Sequence, residues 1–178
     1  MDALKKACIA FEKEAVKRVN IFYGSAAIAL WEFWGWREKK IKHLLELTQD
    51  IWNECSSDNN ISMLQMLENE TGIDMRIPET GKSWHDVAFL NSEINMKIED
   101  MSRPQIIYMR QQQTKWVGAQ VLAGICIALH RKHQFGATRI SRLISQINEV
   151  RFLYEEKEKV IINECMRITG IDINGWSY

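Results

Sequence analysis

Laid on itself with a displacement of 99 residues, the chain repeats. Ile28-Ala-Leu30 falls on Ile127-Ala-Leu129, Trp36 on Phe135, Lys40-Ile41 on Arg139-Ile140 and Leu44-Leu45 on Leu143-Ile144, while Thr48 and Ile51 fall on Ile147 and Val150. After a one-residue deletion, Thr71-Gly-Ile-Asp74 falls on Thr169-Gly-Ile-Asp172. Apolar register kept from Ile28 onward and closed by an identical tetrapeptide reads as a tandem unit. A unit with so thin a core has to bury its apolar face against its neighbour. We therefore expect a first helical repeat over 1–77, a linker and connecting helix over 78–100, and a second repeat over 101–178, packed about a pseudo-twofold axis.

The unit is helical. Only two prolines occur in 178 residues, and Ile, Leu, Lys, Glu, Gln and Met outweigh Val, Thr and Gly, a balance that favours helix at nearly every window. The expected class is all-α. Leu4, Cys8, Phe11, Ala15, Val19 and Phe22 recur at three-to-four spacing and predict a helix over 2–22. Gly24-Ser25 offers a kink or a cap, Ala26 to Trp34 continues as an apolar helix, and Gly35 stops it. Ile41, Leu44, Leu45, Thr48, Ile51, Trp52 and Cys55 form one face of a helix over 36–55. Ser56 to Asn60 reads as a loop, with Asn60 or Ser62 capping a short helix that ends at Gly72. Arg76 to Lys82, holding Pro78 and Gly81, reads as a linker. Ser83-Trp-His-Asp86 has the form of a capping box opening a helix to about Asp100, and Pro104 suits the first turn of the next one. The second repeat carries Tyr154-Glu-Glu-Lys-Glu158 in place of the Ser-Asp-Asn loop, so its last two helices either run together or only kink.

Charge divides the chain unevenly. It is neutral overall, with 23 basic and 23 acidic side chains, yet Met101 to Asn148 holds Arg103, Arg110, Lys115, Arg131, Lys132, Arg139 and Arg142 and neither Asp nor Glu. That segment carries +7 and the remainder −7. Such a split points to an anionic partner. No apolar run reaches the roughly 18 residues of a membrane span, and Met1-Asp-Ala-Leu-Lys-Lys opens an amphipathic helix rather than a signal peptide. The expectation is a cytoplasmic protein with no membrane partner. Four cysteines, at 8, 55, 126 and 165, lack ligand spacing and read as buried free thiols.

Three local motifs carry less than they suggest. Thr80-Gly-Lys-Ser83 resembles the end of a phosphate-binding loop, but Arg76 stands where that loop needs a glycine. His130-Arg-Lys-His133 sets two imidazoles one turn apart with no acid nearby, which suits a positively charged helix end near an anion better than a metal. Phe135-Gly-Ala-Thr-Arg-Ile-Ser-Arg142 is similar to a helix-turn-helix recognition helix, with the small residue and the Ile-Ser-Arg element at the wrong distances from the glycine. The helix start after Gly136 can still hold an anion through free N–H groups with Thr138, Arg139 and Arg142. At the corresponding place of the first repeat, Trp31 and Trp36 could stack on a base while Arg37 and Lys40 hold phosphate. The plainer alternative is that aromatics pin the helix pair and cations solvate its outside.

The run Ala-Leu-His-Arg-Lys-His-Gln-Phe-Gly-Ala-Thr-Arg-Ile-Ser-Arg-Leu143 resembles a helical unit of small, largely uncharacterised proteins from phages and mobile elements of Gram-positive bacteria. Their pattern is Ala-Leu, a short polar run, Phe-Gly, a basic residue and a leucine-rich helix. The first repeat departs from it with Trp34-Gly-Trp36, and the second replaces the usual acidic residues with His-Arg-Lys-His. The resemblance implies an accessory factor, including an inhibitor of host defence acting in the host cytoplasm. No catalytic triad or metal-ligand set is suggested, so the expectation is a non-enzymatic binding protein with no cofactor. It would sequester an anionic nucleotide signal, occupy a nucleic-acid-binding surface or block a host defence protein, with Trp31, Trp36, Arg37, Lys40, His130, Arg131, His133, Thr138, Arg139 and Arg142 as the candidate ligand-binding residues. A DNA-binding transcriptional regulator is the alternative, and a homo-oligomer is compatible with either.

Overall fold

The computed structural model describes residues 3–57, 62–77, 81–86 and 102–176. Among them the fold is all-α: α1 (Ala3–Trp34), α2 (Glu38–Ser57), α3 (Met63–Thr71), α4 (Arg103–His133), α5 (Ala137–Leu153) and α6 (Glu158–Thr169), with short 3-10 turns at Trp84–Asp86 and Ile173–Gly175. The described residues contain no strand beyond a single antiparallel bridge between Arg76 and Ser83. None of their helices is long and apolar enough to cross a membrane.

The centre lies where two helices are apolar all round. Every residue from 19 to 30 in α1 and from 121 to 129 in α4 is buried, as a helix must be when it has no polar face to offer water. Their small residues let the backbones approach: a Cβ added to Gly118 would stand 2.4 Å from Phe22 Cε2. Phe22 therefore meets Gly118 while Trp34 meets Phe135 farther along, so α1 and α4 lie side by side and run in the same direction.

The remaining helices wrap this pair crosswise. α1 packs on α5 and α6, and α4 on α2 and α3, whereas α1 touches α2, and α4 touches α5, only briefly. Each long helix takes most of its cover from the other half of the chain. Side chains such as Leu44, Leu67, Ile140, Leu143 and Ile161 are fully buried at these contacts, and each contributes about 1.5–3 kcal/mol by leaving water.

The two Thr-Gly-Ile-Asp segments close their helices alike. Thr71 Oγ1 donates to Leu67 O at 2.7 Å and accepts from Ile73 N at 3.3 Å, and Gly72 has φ +73°. Thr169 Oγ1 donates to Cys165 O at 2.7 Å and accepts from Ile171 N at 3.2 Å, and Gly170 has φ +74°. Left-handed backbone at the residue after a helix is where glycine is favoured.

Several expectations need correction. α1 runs unbroken through Gly24, which serves packing instead: a Cβ there would lie 2.6 Å from Ile161 Cγ2 and 2.8 Å from Ile173 Cδ1. Trp36 lies in the break between α1 and α2, because its buried indole is needed across the molecule rather than along a helix face. The described part of 76–82 is no bare linker. Ile77 N donates to Lys82 O and Gly81 N to Ile77 O, with Met75 and Ile77 buried. Ser83 precedes a 3-10 turn over Trp84–Asp86, and its Oγ donates to Asp74 Oδ1 at 2.6 Å. The rest of the helix expected up to Asp100 lies outside the described residues, as do 58–61 of the expected loop.

Other local expectations match. Ser62 caps α3 by accepting from Gln65 N at 3.2 Å, and Pro104 sits in the first turn of α4 behind a Ser102–Gln105 capping box. One does not: the last two helices of the second half, expected to run together or only kink, are separated as α5 and α6 by a turn in which Glu155 and Glu156 have φ near +51° and +52°. Arg151 holds that turn by donating to Glu156 Oε1 at 2.6 Å. The cysteines form no disulfide, and Cys126 and Cys165 are buried as expected, whereas Cys8 and Cys55 are only half-buried; burial pushes the Cys165 thiol up to about 11.

Candidate functional site

The junctions between α1 and α2 and between α4 and α5 are built by one device. At the first, Gly35 takes φ +66° and Trp36 N donates back to Leu30 O at 3.1 Å. At the second, Gln134 takes φ +54° and Phe135 N donates to Leu129 O at 3.2 Å. A left-handed glutamine is strained where glycine is not. Its amide donates to His130 O at 3.1 Å, and His130 Nδ1 donates to the Phe135 carbonyl at 2.9 Å. His130 therefore braces the turn, and its Nδ1 proton is committed to the backbone.

Because α1 and α4 are parallel, both junctions fall at the same end, and their aromatic rings interlock. Trp34 and Phe135 have centroids 4.9 Å apart, Trp36 and His133 4.7 Å, and Trp36 and Phe135 6.1 Å at nearly a right angle. Edge-to-face contacts of this kind add roughly 0.5–1.5 kcal/mol each beyond burial. Trp34 Nε1 donates to Gln146 Oε1 at 2.7 Å, joining α1 to α5 across 112 positions of sequence. Trp36 is only 6% exposed. It stacks on protein groups and does not present a face to a base.

Cations from both halves lie over these rings and over Trp31, one turn before Trp34 in α1. Lys40 Nζ lies 3.8 Å from the centroid of Trp36, Arg37 Cζ 4.6 Å from that of Trp31, and Arg139 and Arg142 Cζ 5.8 Å from those of Phe135 and Trp34. Cation–π contact holds each charge in place without neutralising it. All four cations are exposed. None has a carboxylate within 4 Å among the described residues. Glu38 and Glu46, the acids nearest in sequence on α2, face Lys42 and His43. The first turn of α5 contains no acid, its cap Gly136 has no side chain to occupy the free N–H groups, and Thr138 is exposed there.

Besides His130 and Trp36, two more of the expected ligand residues are used otherwise. Arg131 forks onto Glu70 at 2.6 Å and Glu54 at 2.9 Å, which holds its pKa above the ordinary arginine value and clips α4 to α2 and α3. Its charge is spent within the fold. His133 packs against Trp36, and burial, then Lys40 and His43, holds its pKa below the usual imidazole value. Favouring the neutral ring, it is poorly suited to add positive charge. Trp31 is half-buried under Arg37.

Sequence reasoning missed Gln146, Glu54 and Glu70, which lie on other helices and carry no local signal. Phe135 and Trp34 could have been found from the crowding of aromatics at the two glycine-marked breaks. A groove of about 320 Å³ lies elsewhere, between Met75–Ile77 and Ser141, Ile144 and Asn148 of α5, and includes none of the junction rings or cations. The described residues contain no group of three or more His, Cys, Asp or Glu side chains able to hold a metal. Comparison with known proteins finds no family model, no curated protein and no solved structure that matches this chain.

Proposed function

We propose that the protein is a non-enzymatic binding module whose basic junction end holds the phosphates of an anionic partner. The observation that carries this reading is the set of four exposed cations drawn from both halves, Lys40, Arg139 and Arg142 on the interlocked rings and Arg37 on Trp31 of α1, with no carboxylate within 4 Å among the described residues. Ligands that make phosphate contacts through side chains need charge on the surface and no enclosing pocket. Enclosing a nucleotide needs an open aromatic face, and Trp36 offers none. Occupation of a nucleic-acid surface, or mimicry of one that binds such a surface, is therefore favoured over sequestration of a small signal. The role in a cell that suits this, through the resemblance to phage and mobile-element proteins, is blockade of a bacterial defence system.

Calorimetry and fluorescence anisotropy against nucleic acids, cyclic di- and trinucleotides and ADP-ribose test the reading. Saturable, salt-sensitive binding to nucleic acid is expected. Arg139→Ala should weaken it by about 1.5–3 kcal/mol while shifting folding stability by no more than about half a kcal/mol. Binding to none of these, with the protein folded, overturns it. A transcriptional regulator is the second reading, favoured by the exposed face of α5, where Thr138, Arg139, Ser141, Arg142 and Ser145 precede the first acid at Glu149. Recovery of a consensus site by in vitro selection would establish that reading instead.

A further inference from the structure

The junction contacts come in exchanged pairs. Trp36 on His133 at 4.7 Å corresponds, through the 99-residue displacement, to Phe135 on Trp34 at 4.9 Å; Lys40 over Trp36 corresponds to Arg139 over Phe135; and the Trp36–Phe135 contact corresponds to itself. Contacts that exchange in this way are what an approximate local twofold axis between Trp36 and Phe135 produces, with the ring planes of the two pairs inclined at 63° and 39°. Since α1 and α4 run side by side in one direction, that axis follows them and emerges at the junction end. Lys40 and Arg139 stand on opposite sides of it.

From this the geometry points to double-helical nucleic acid as the partner, bound with the local twofold on a dyad of the duplex so that Lys40 and Arg139 meet phosphates of opposite strands. The inference rests on the reading of the junction as a phosphate-binding site and adds which nucleic acid it takes. A duplex has antiparallel strands and so carries twofold axes perpendicular to its length, whereas a single strand has a direction and carries none. A pair of cations related by a twofold is matched by the first and not by the second.

The spacing selects the mode of contact. The successive distances of 3.8, 6.1 and 5.8 Å from Lys40 to Trp36 to Phe135 to Arg139 keep the two charges near each other. Two successive major grooves lie about 34 Å apart, beyond their reach. The backbones flanking one groove, about 6 to 12 Å wide, lie within it. Such contacts carry little sequence information, because phosphates are alike at every step. Arg142, over Trp34 of the same plug, and Arg37, over Trp31 one turn earlier in α1, can take neighbouring phosphates.

Anisotropy titrations of the full chain against a labelled duplex of about two helical turns and against each of its separated strands, over 50–200 mM salt, test this. We expect the duplex to bind at least about tenfold more tightly than either strand, with log K falling linearly in log salt. Lys40→Gln and Arg139→Gln should each reduce the slope by about 0.9, the value of one phosphate, and by similar amounts. Both residues are exposed, and a thermal melt of each variant confirms that it is folded. Equal or tighter binding of a single strand overturns the inference while leaving the phosphate-binding reading in place, as does a slope lowered by only one of the two variants, whereas an unchanged slope in both overturns the inference and the reading of this site together. Failure of both duplex and strands to bind overturns the inference and the reading together.

Discussion

The edge of the His133 imidazole meets the indole of Trp36 with centroids 4.7 Å apart and planes inclined at 63°. One residue comes from the end of α4 and the other from the break after α1, so the contact ties the two halves at the end of the central pair. Burial and the nearby Lys40 and His43 disfavour a charge on this ring and hold its pKa below the ordinary value of 6.5. The unfolded chain then binds a proton that the folded chain resists, and stability rises with pH across the interval between the two values. Acidification through and below about pH 6.5 should lower the melting temperature. His133→Phe, which keeps the ring and removes the titration, should show a smaller fall than the unaltered protein when melts are compared at pH 7.5 and pH 5.5.

Trp36 should matter more to folding than to ligand contact. Its truncation to Ala removes a large buried ring that touches Phe135, His133 and the Lys40 ammonium, and should cost about 3–5 kcal/mol in denaturant unfolding. Trp36→Phe installs the residue found at the corresponding place of the second half and should cost less than half as much. Equal losses from the two changes would mean that indole-specific contacts dominate.

Gly118 is a packing position. An Ala Cβ there would fall 2.4 Å from Cε2 and 3.0 Å from Cζ of the buried Phe22 ring, so α1 and α4 must separate or the ring must turn. Gly118→Ala should destabilise by about 1–3 kcal/mol despite the better helix propensity of alanine. Combining it with Phe22→Leu should cost less than the sum of the two changes. Additive losses in chemical denaturation would show that the ring and the glycine are not in competition.

Arg131 offers a separable electrostatic test. Its guanidinium reaches Glu70 and Glu54 at 2.6 and 2.9 Å, with a third of the side chain still exposed. Solvent screening limits an exposed pair to roughly 0.2–1 kcal/mol, and the forked geometry places this one at the upper part of that range. A double-mutant cycle of Arg131→Met and Glu70→Gln should return a coupling of about 1 kcal/mol that shrinks in high salt. The same cycle read by nucleic-acid affinity should show little change, since this cation is already engaged within the fold.

What the sequence determined by itself was local. Helix class, the caps at Ser62 and Gly72, Pro104 in the first turn of α4, and the two glycine-marked breaks follow from periodicity and from backbone preferences that neighbours within a few positions decide. The concentration of charge in 101–148 was likewise legible, because it is a count. What only the tertiary structure decided is which of those charges remain available. Arg131 and His130 look as basic in sequence as Arg139, yet the first meets carboxylates 61 and 77 positions away and the second meets a backbone carbonyl. Gly24 reads as a helix breaker until Ile161 and Ile173 are seen to lie against it. Trp36 reads as a stacking platform until the parallel course of α1 and α4 brings His133 and Phe135 onto its ring. These outcomes depend on helices far apart in the chain, and local propensity carries no information about which of them will meet.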